Sequence, residues 1–199
     1  MLDKGANAGR HAMSDRPGNR YDTHAVAVEA LLRVETLPKR IWEPCCGKGN
    51  IVKILRAHHH HVVASDIRDR KCPDSFKHDF LDMAAPYVAT ECDAIVTNPP
   101  YDHAAQFISN ALEHVPKVCM LLRLAFLEGG TPKTEAGRLR ARVLDGGDLA
   151  RVHVFANRLP MMHRAGWKGP RASSAIAFAW FVWEREHRGP TKIDRIRWE

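Results

Sequence analysis

The sequence predicts an α/β protein built on an open, doubly wound sheet, and three observations carry that expectation. Short apolar runs such as Ala94-Ile95-Val96 and Val118 to Leu122 have the composition of strands buried on both faces. Between such runs stand segments with apolar residues at helical spacing: Ala104, Phe107, Ile108, Ala111, Leu112 and Val115 fall on one helix face without a miss. Several strands also end on an acid, a glycine turn or a proline pair. Those residue types suit the carboxyl edge of an open sheet, where ligands bind.

Each element can be justified in order. Residues 1–20 are rich in Gly, Asn, Asp and Arg without periodicity and read as a flexible lead-in, leaving 21–199 as one domain. Tyr21-Asp22-Thr23-His24 precedes an amphipathic helix over Ala25 to Leu32, with Asp22 or Thr23 as N-cap. Ile41-Trp42 begins a strand that ends in Glu43-Pro44-Cys45-Cys46-Gly47-Lys48-Gly49-Asn50, and Ile51, Ile54 and Leu55 continue as a helix. His58 to His61 close that helix before a second strand, Val62 to Asp66. Lys71 to Lys77 reads as loop, and His78-Asp79-Phe80-Leu81-Asp82 as a short third strand. After the strand at Ala94-Ile95-Val96 and the helix from Ala104 comes the strand at Val118 to Leu122. Residues 128–147 read as a basic loop carrying a short helix around Ala136 to Val143; Val152, Val154 and Phe155 mark a half-buried strand. A second basic loop spans 157–173. Ala175 to Trp183 is apolar on both faces and belongs deep in the sheet.

Composition narrows the function classes. No apolar run reaches membrane-spanning length and the N-terminus lacks a signal-peptide core, so the expected location is the cytoplasm, with no membrane partner. The five cysteines show no CxxC spacing and read as free thiols in a reducing compartment. Four adjacent histidines on a turn point in different directions and read as a solvated helix end, so no metal is expected. The net charge of +7 is concentrated: residues 131–171 carry nine Lys/Arg against three Asp/Glu. A localised basic belt points to a polyanion partner. Its candidate phosphate contacts are Arg138, Arg140, Arg142, Arg158, Arg164, Lys168 and Arg171, with Met161, Met162 and Trp167 interleaved; a solvated charged face is the alternative.

The chemistry centres on Asp93-Ala-Ile-Val-Thr-Asn98-Pro99-Pro100-Tyr101-Asp102. Two prolines lack N–H groups and stop the ladder, holding Asn98 and Tyr101 on a stiff loop at a strand tip. The Asn98 side-chain oxygen and a proline carbonyl can accept the hydrogens of a planar amine while the Tyr101 ring stacks on its plane. A merely rigid turn is the other reading. The turn Gly47-Lys48-Gly49 is equally a tight structural turn or a nucleotide cradle when taken alone. Asp66, nineteen residues beyond Gly47, stands where an acid binds ribose hydroxyls, and Asp79 at the next tip can accept from an adenine amino group.

The ordered set YDTH, EPCCGKGN, SDI, DFLD and NPPY resembles the S-adenosylmethionine-dependent amino-methyltransferases of DNA, in particular small phage-type adenine-N6 methyltransferases. The resemblance implies a Rossmann-like sheet of seven strands of the class I methyltransferase type, with the last-added strand antiparallel. It implies S-adenosylmethionine as cofactor, held by Tyr21, Thr23, Glu43, Pro44, Cys45, Gly47, Gly49, Asp66, Ile67, Asp79, Phe80 and Asn98. Asn98, Pro99, Pro100 and Tyr101 become the catalytic signature. The partner implied is DNA with the target adenine flipped from the stack, and the transfer is direct, with Cys45 and Cys46 not acting as nucleophiles. His24 stands where the family commonly has proline, and the sequence is expected to depart from the family in lacking a separate target-recognition domain. The same chemistry also fits an RNA base, a cytosine amino group or a protein amide. From another class, a methyltransferase-like subunit binding nucleic acid without turnover fits too.

Overall fold

The computed structural model describes residues 23–82, 91–129, 133–160 and 176–199. Its strands are β1 (Arg40–Glu43), β2 (His61–Asp66), β3 (Ser75–Lys77), β4 (Ala94–Thr97), β5 (Lys117–Arg123), β6 (Leu149–Phe155), β7 (Phe178–Glu184) and β8 (Lys192–Ile196). Its α-helices are α1 (Ala25–Val34), α2 (Asn50–Ala57), α3 (Ala104–His114) and α4 (Glu135–Asp145). The strands form one sheet in the order β3-β2-β1-β4-β5-β7-β6-β8. From β1 the chain works outward to β2 and β3, then returns to lay β4 on the other side of β1. The crevice between the tips of β1 and β4 is therefore the switch point at which such sheets bind ligands.

Two apolar layers cover the sheet. Ala27, Val28 and Leu31 of α1 and Ile51, Val52 and Leu55 of α2 pack on one face. Phe107, Ile108 and Ala111 of α3 and Val143 of α4 pack on the other. Strand β7 feeds both: Trp180 and Val182 enter the first layer, Phe181 and Trp183 the second. Each buried indole also holds a helix. Trp180 Nε1 donates to the Ala27 carbonyl and Trp183 Nε1 to the Val143 carbonyl, both at 2.7 Å. Truncating either ring to alanine removes packing and a helix anchor together, a loss of about 3–5 kcal/mol.

The structure corrects several sequence expectations. The sheet has eight strands, not seven. Its antiparallel member is β7, inserted between β5 and β6, while the last strand in chain order, β8, runs parallel to β6. Strand β8 was missed because Lys192 to Arg195 are all exposed, so it carries no buried alternation for a pattern to reveal. The third strand lies at Ser75–Lys77, where a loop was expected; Asp79 to Asp82 form the turn after it. Phe80 and Leu81 supplied the misleading apolar signal. Left-handed backbone at Lys71 (φ 66°) and Asp74 (φ 58°) bends the chain into this short edge strand. The cap of α1 is His24, whose Nδ1 accepts from the Val26 N–H at 3.4 Å, rather than Thr23; Asp22 lies outside the described residues. Within 128–147, α4 is a full helix, capped by Thr134 accepting from the Gly137 N–H at 3.0 Å.

Opposite the switch-point edge, a polar cluster ties α1 to three strands. The Glu35 carboxylate, its side chain 2 % exposed, meets Lys117 Nζ at 2.6 Å, the Arg151 guanidinium and His153 Nε2 at 2.8 Å. Glu184 completes the cluster against Arg151 at 2.5 Å and Lys117 at 3.2 Å. Burial alone would raise the Glu35 carboxyl, but hydrogen bonds from His153, Arg151 and Lys117 outweigh it and hold the group well below the usual carboxylate range. A folded-state value below the unfolded one stabilises the fold above the ordinary carboxylate range, and that contribution is lost as pH falls. Glu35→Gln leaves the half-buried Lys117 and Arg151 short of a counter-charge and should cost about 3 kcal/mol in urea unfolding at neutral pH. The deficit should shrink in acid. An unchanged midpoint at neutral pH would show that the cluster contributes no net stability.

Candidate active site

A cleft of about 520 Å³ opens at the carboxyl edge of the sheet across the switch point. The turn after β1 contributes Pro44, Cys45, Gly47 and Lys48; the tip of β2 contributes Asp66, Ile67, Arg68 and Arg70. Asp79, Phe80 and Leu81 follow β3, and Asn98, Pro99 and Pro100 follow β4. Asp102, His103 and Phe107 close the far wall. Strand tips carrying glycines, two acids and the Asn-Pro-Pro loop are thus brought to one cavity.

The glycine turn is tied down by neighbouring carboxylates. Asp66 Oδ2 accepts the Gly47 N–H and Oδ1 accepts the Arg68 N–H, both at 3.0 Å, while Arg70 Nε lies 3.8 Å from Oδ1. Each carboxylate oxygen keeps lone-pair capacity for a hydroxyl. Asp79, exposed in the cleft wall, uses Oδ1 to accept the Leu81 N–H at 3.0 Å. Ile67 is 52 % exposed in the same wall, an apolar surface of the kind a planar base covers. Phe80 is buried against Trp42 and Phe107, with ring centroids 5.0 Å away in both cases, and is only 2 % exposed. Gly49 has φ +84°, and a Cβ there would sit 2.7 Å from Cys72 Sγ, so the turn requires glycine at that position.

Glu43 and Thr23 occupy supporting positions behind the wall. Glu43 is fully buried; its Oε1 accepts the Thr97 hydroxyl at 2.6 Å and the Cys45 N–H at 2.9 Å. Burial pushes its carboxyl up to about 8, against the opposing pull of those two hydrogen bonds. The Thr23 hydroxyl accepts from Asn98 Nδ2 at 3.1 Å, and the Thr23 carbonyl accepts from Asn50 Nδ2 at 3.2 Å. Thr23 thereby orients the Asn98 carboxamide. Tyr21 lies outside the described residues.

Tyr101 does not line the cleft. It opens a short 3₁₀ turn (Tyr101–His103), with its ring 6.0 Å from that of Phe178 and the Arg123 guanidinium 4.8 Å above it. Burial raises the thiols of Cys45 and Cys46 well above their ordinary value, so both stay protonated at neutral pH.

The basic belt divides. Arg138, Arg142 and Arg158 are exposed. Arg140 instead donates to the carbonyls of Ala125 and Phe126 and stacks 4.6 Å over the Phe126 ring, a structural role. Arg151, counted in the same charge excess, belongs to the Glu35 cluster. Arg164, Lys168, Arg171, Met161, Met162 and Trp167 lie outside the described residues. Arg68, Arg70, Asp102 and His103 are cleft residues that the sequence reading did not single out. Their nearness to Asp66 and to the proline pair was the available signal.

No protein-family model matches this sequence, and a comparison with curated proteins finds no match. Solved structures do resemble it. A modification subunit assigned to a type I restriction enzyme from Vibrio vulnificus aligns with TM-score 0.58 at 13% identity, over 87% of this chain and 46% of that one. A TehB-like SAM-dependent methyltransferase from Corynebacterium glutamicum aligns with TM-score 0.50 at 14% identity, over 83% and 89%. The 23S rRNA methyltransferase ErmE aligns with TM-score 0.51 at 16% identity, over 85% and 71%. This chain has the fold of SAM-dependent methyltransferases. At these identities the likeness is one of fold, and the chain spans just under half of the modification subunit.

The raised Glu43 carboxyl generates a pH prediction. Its folded value lies above the ordinary 4.5, so its stabilising contribution is complete below that value and lost as pH rises through about 8. Glu43→Gln, permanently neutral, should therefore lose less melting temperature than the parent between about pH 5 and about pH 9. Parallel melting curves for the two proteins across that range would show that Glu43 is ionised in the fold.

Proposed function

We propose that this protein transfers a methyl group from S-adenosylmethionine to the exocyclic N6 amino group of adenine in DNA. The observation that carries the proposal is the shared cavity: the Asn98-Pro99-Pro100 loop and the adenosine-type tips at Gly47, Asp66, Ile67 and Asp79 line one cleft. The residues fit the cofactor. Asp66 has acceptor capacity for ribose hydroxyls, Asp79 for an adenine amine, and exposed Ile67 for a base face. The cofactor supplies a methyl group on a sulfonium, already activated for departure. The chain supplies orientation.

An exocyclic adenine nitrogen is a poor nucleophile because its lone pair is delocalised into the ring. Acceptance of its two hydrogens by Asn98 Oδ1 and the Pro99 carbonyl favours a tetrahedral nitrogen and stabilises the charge that develops on it. Thr23 fixes which end of the carboxamide faces the amine, because its hydroxyl accepts from Nδ2. A base stacked on Tyr101 meets a ring already covered by the Arg123 guanidinium. Base entry on that face exchanges one stacked planar group for another. In a duplex this requires the base to leave the stack. Similarity to an rRNA methyltransferase favours, as a second reading, an RNA base as acceptor.

Expression in a methylation-free bacterial host followed by modification-sensitive sequencing tests the substrate. N6-methyladenine in the genome is expected. An unmodified genome alongside modified host RNA would move the substrate to RNA, and neither product from soluble protein would end the proposal. Asn98→Ala should lower methyl transfer by at least about a hundredfold, the effect of removing one transition-state hydrogen-bonding group, while calorimetric affinity for S-adenosylmethionine changes little. Near-normal turnover would remove Asn98 from the chemistry. Charge reversal at Arg138 and Arg142 should weaken duplex binding and reduce its salt slope by about one unit for each phosphate no longer neutralised. An identical slope would return α4 to a solvated face.

A further inference from the structure

Strand β8 forms one end of the sheet, and its outer edge pairs with no described strand. Its residues Lys192, Ile193, Asp194 and Arg195 are all exposed, and Ile193 is the most exposed large apolar side chain among the described residues, at 63 %. Ile193 also borders a surface groove of about 540 Å³ beside α4, whose other apolar walls include Leu127, Leu144 and Leu149. An edge strand whose outer hydrogen-bonding groups meet no described strand, and which carries an exposed isoleucine, is a template for another strand.

We propose that β8 is a homodimer interface, in which two copies pair antiparallel across a two-fold axis through Ile193 and the sheet continues from one copy to the other. The charge pattern selects both occupant and register. In an antiparallel two-fold pair, opposed residues share a face, so one residue must sit opposite its own copy. Centring on Lys192, Asp194 or Arg195 places like charges face to face, which destabilises a cross-strand pair. Centring on Ile193 sets Lys192 opposite Asp194 of the second copy and Asp194 opposite its Lys192. Two ion pairs form on the face that carries the Glu35 cluster, since Lys192 and Asp194 are in register with Arg151 and His153 of β6. The two Ile193 side chains meet on the other face, beside the groove. Lys192-Ile193-Asp194 is thus complementary to itself read backwards.

The pairing has a geometric consequence. Strand β8 runs parallel to β6 and hence to β1, β2, β4 and β5. Antiparallel pairing at β8 therefore turns the carboxyl edges of the two copies in opposite directions. Each cleft faces its own side, and the two work independently.

Charge-swap variants test this in the intact chain. Sedimentation at micromolar concentration should give a concentration-dependent dimer for the parent. Lys192→Asp and Asp194→Lys should each be monomeric, because each makes both cross-strand pairs like-charged. An equimolar mixture of these two variants restores opposite charges at every pair and should recover a dimer, which also shows that both variants are folded. The double exchange, Lys192→Asp with Asp194→Lys, should dimerise alone. Methyl-acceptor turnover per chain should match the parent throughout. A monomeric parent, single variants that remain dimeric, or a mixture that stays monomeric would each overturn the proposal.

Discussion

The buried Glu43 carboxyl is the interaction on which the cleft depends. It sits at the end of β1 and accepts from the Cys45 N–H on one side and the Thr97 hydroxyl on the other. The first hydrogen bond shapes the turn that leads to Gly47; the second joins that turn to the last residue of β4, immediately before Asn98. One carboxyl therefore sets the distance between the glycine-turn wall of the cleft and the Asn98 wall. A group buried this fully is costly to ionise, and its raised value shows that burial outweighs the two hydrogen bonds. It joins two strand tips as a largely neutral hydrogen-bonding group.

Around that joint the polar residues are arranged in relay. Asp66 braces Gly47, Thr23 braces Asn98, and Asn50 at the start of α2 holds Thr23 through its carbonyl. Each of these cleft groups is therefore held by a neighbour. The proline pair adds stiffness without hydrogen bonds, since Pro99 and Pro100 fix their own φ. A site built this way is oriented before any ligand arrives, which suits a reaction whose barrier is lowered by alignment and by hydrogen-bond acceptors placed where charge develops.

The opposite edge applies the same bracing to stability. Glu35, Arg151, Lys117, Glu184 and His153 fasten α1 to β5, β6 and β7 at the end of the sheet far from the cleft. The cluster also absorbs Arg151, one of the cations that made the segment 131–171 look uniformly basic. Arg140 is absorbed by the carbonyls after β5. Local charge excess overstated the surface available to a polyanion, because a count of arginines does not say which of them are already hydrogen-bonded inside the fold.

What the sequence determined by itself was the set of central strands and the residue types at their tips. Strands buried on both faces leave continuous apolar runs, and β4, β5 and β7 were legible for that reason. Glycines, acids and the proline pair were legible because backbone geometry and ladder termination permit few other residues at those places. Tertiary structure alone decided the rest. The edge strands β3 and β8 bury too little to leave a pattern, so their existence rests on pairing with β2 and β6. The insertion of β7 between β5 and β6 is a matter of chain path that no local spacing encodes. The roles of Glu43 and Thr23 as braces and the covering of Tyr101 by Arg123 depend on residues distant in sequence meeting in space, 54, 75 and 22 positions apart. Local pattern records what a residue's own backbone demands; which distant partner satisfies it is settled only when the sheet assembles.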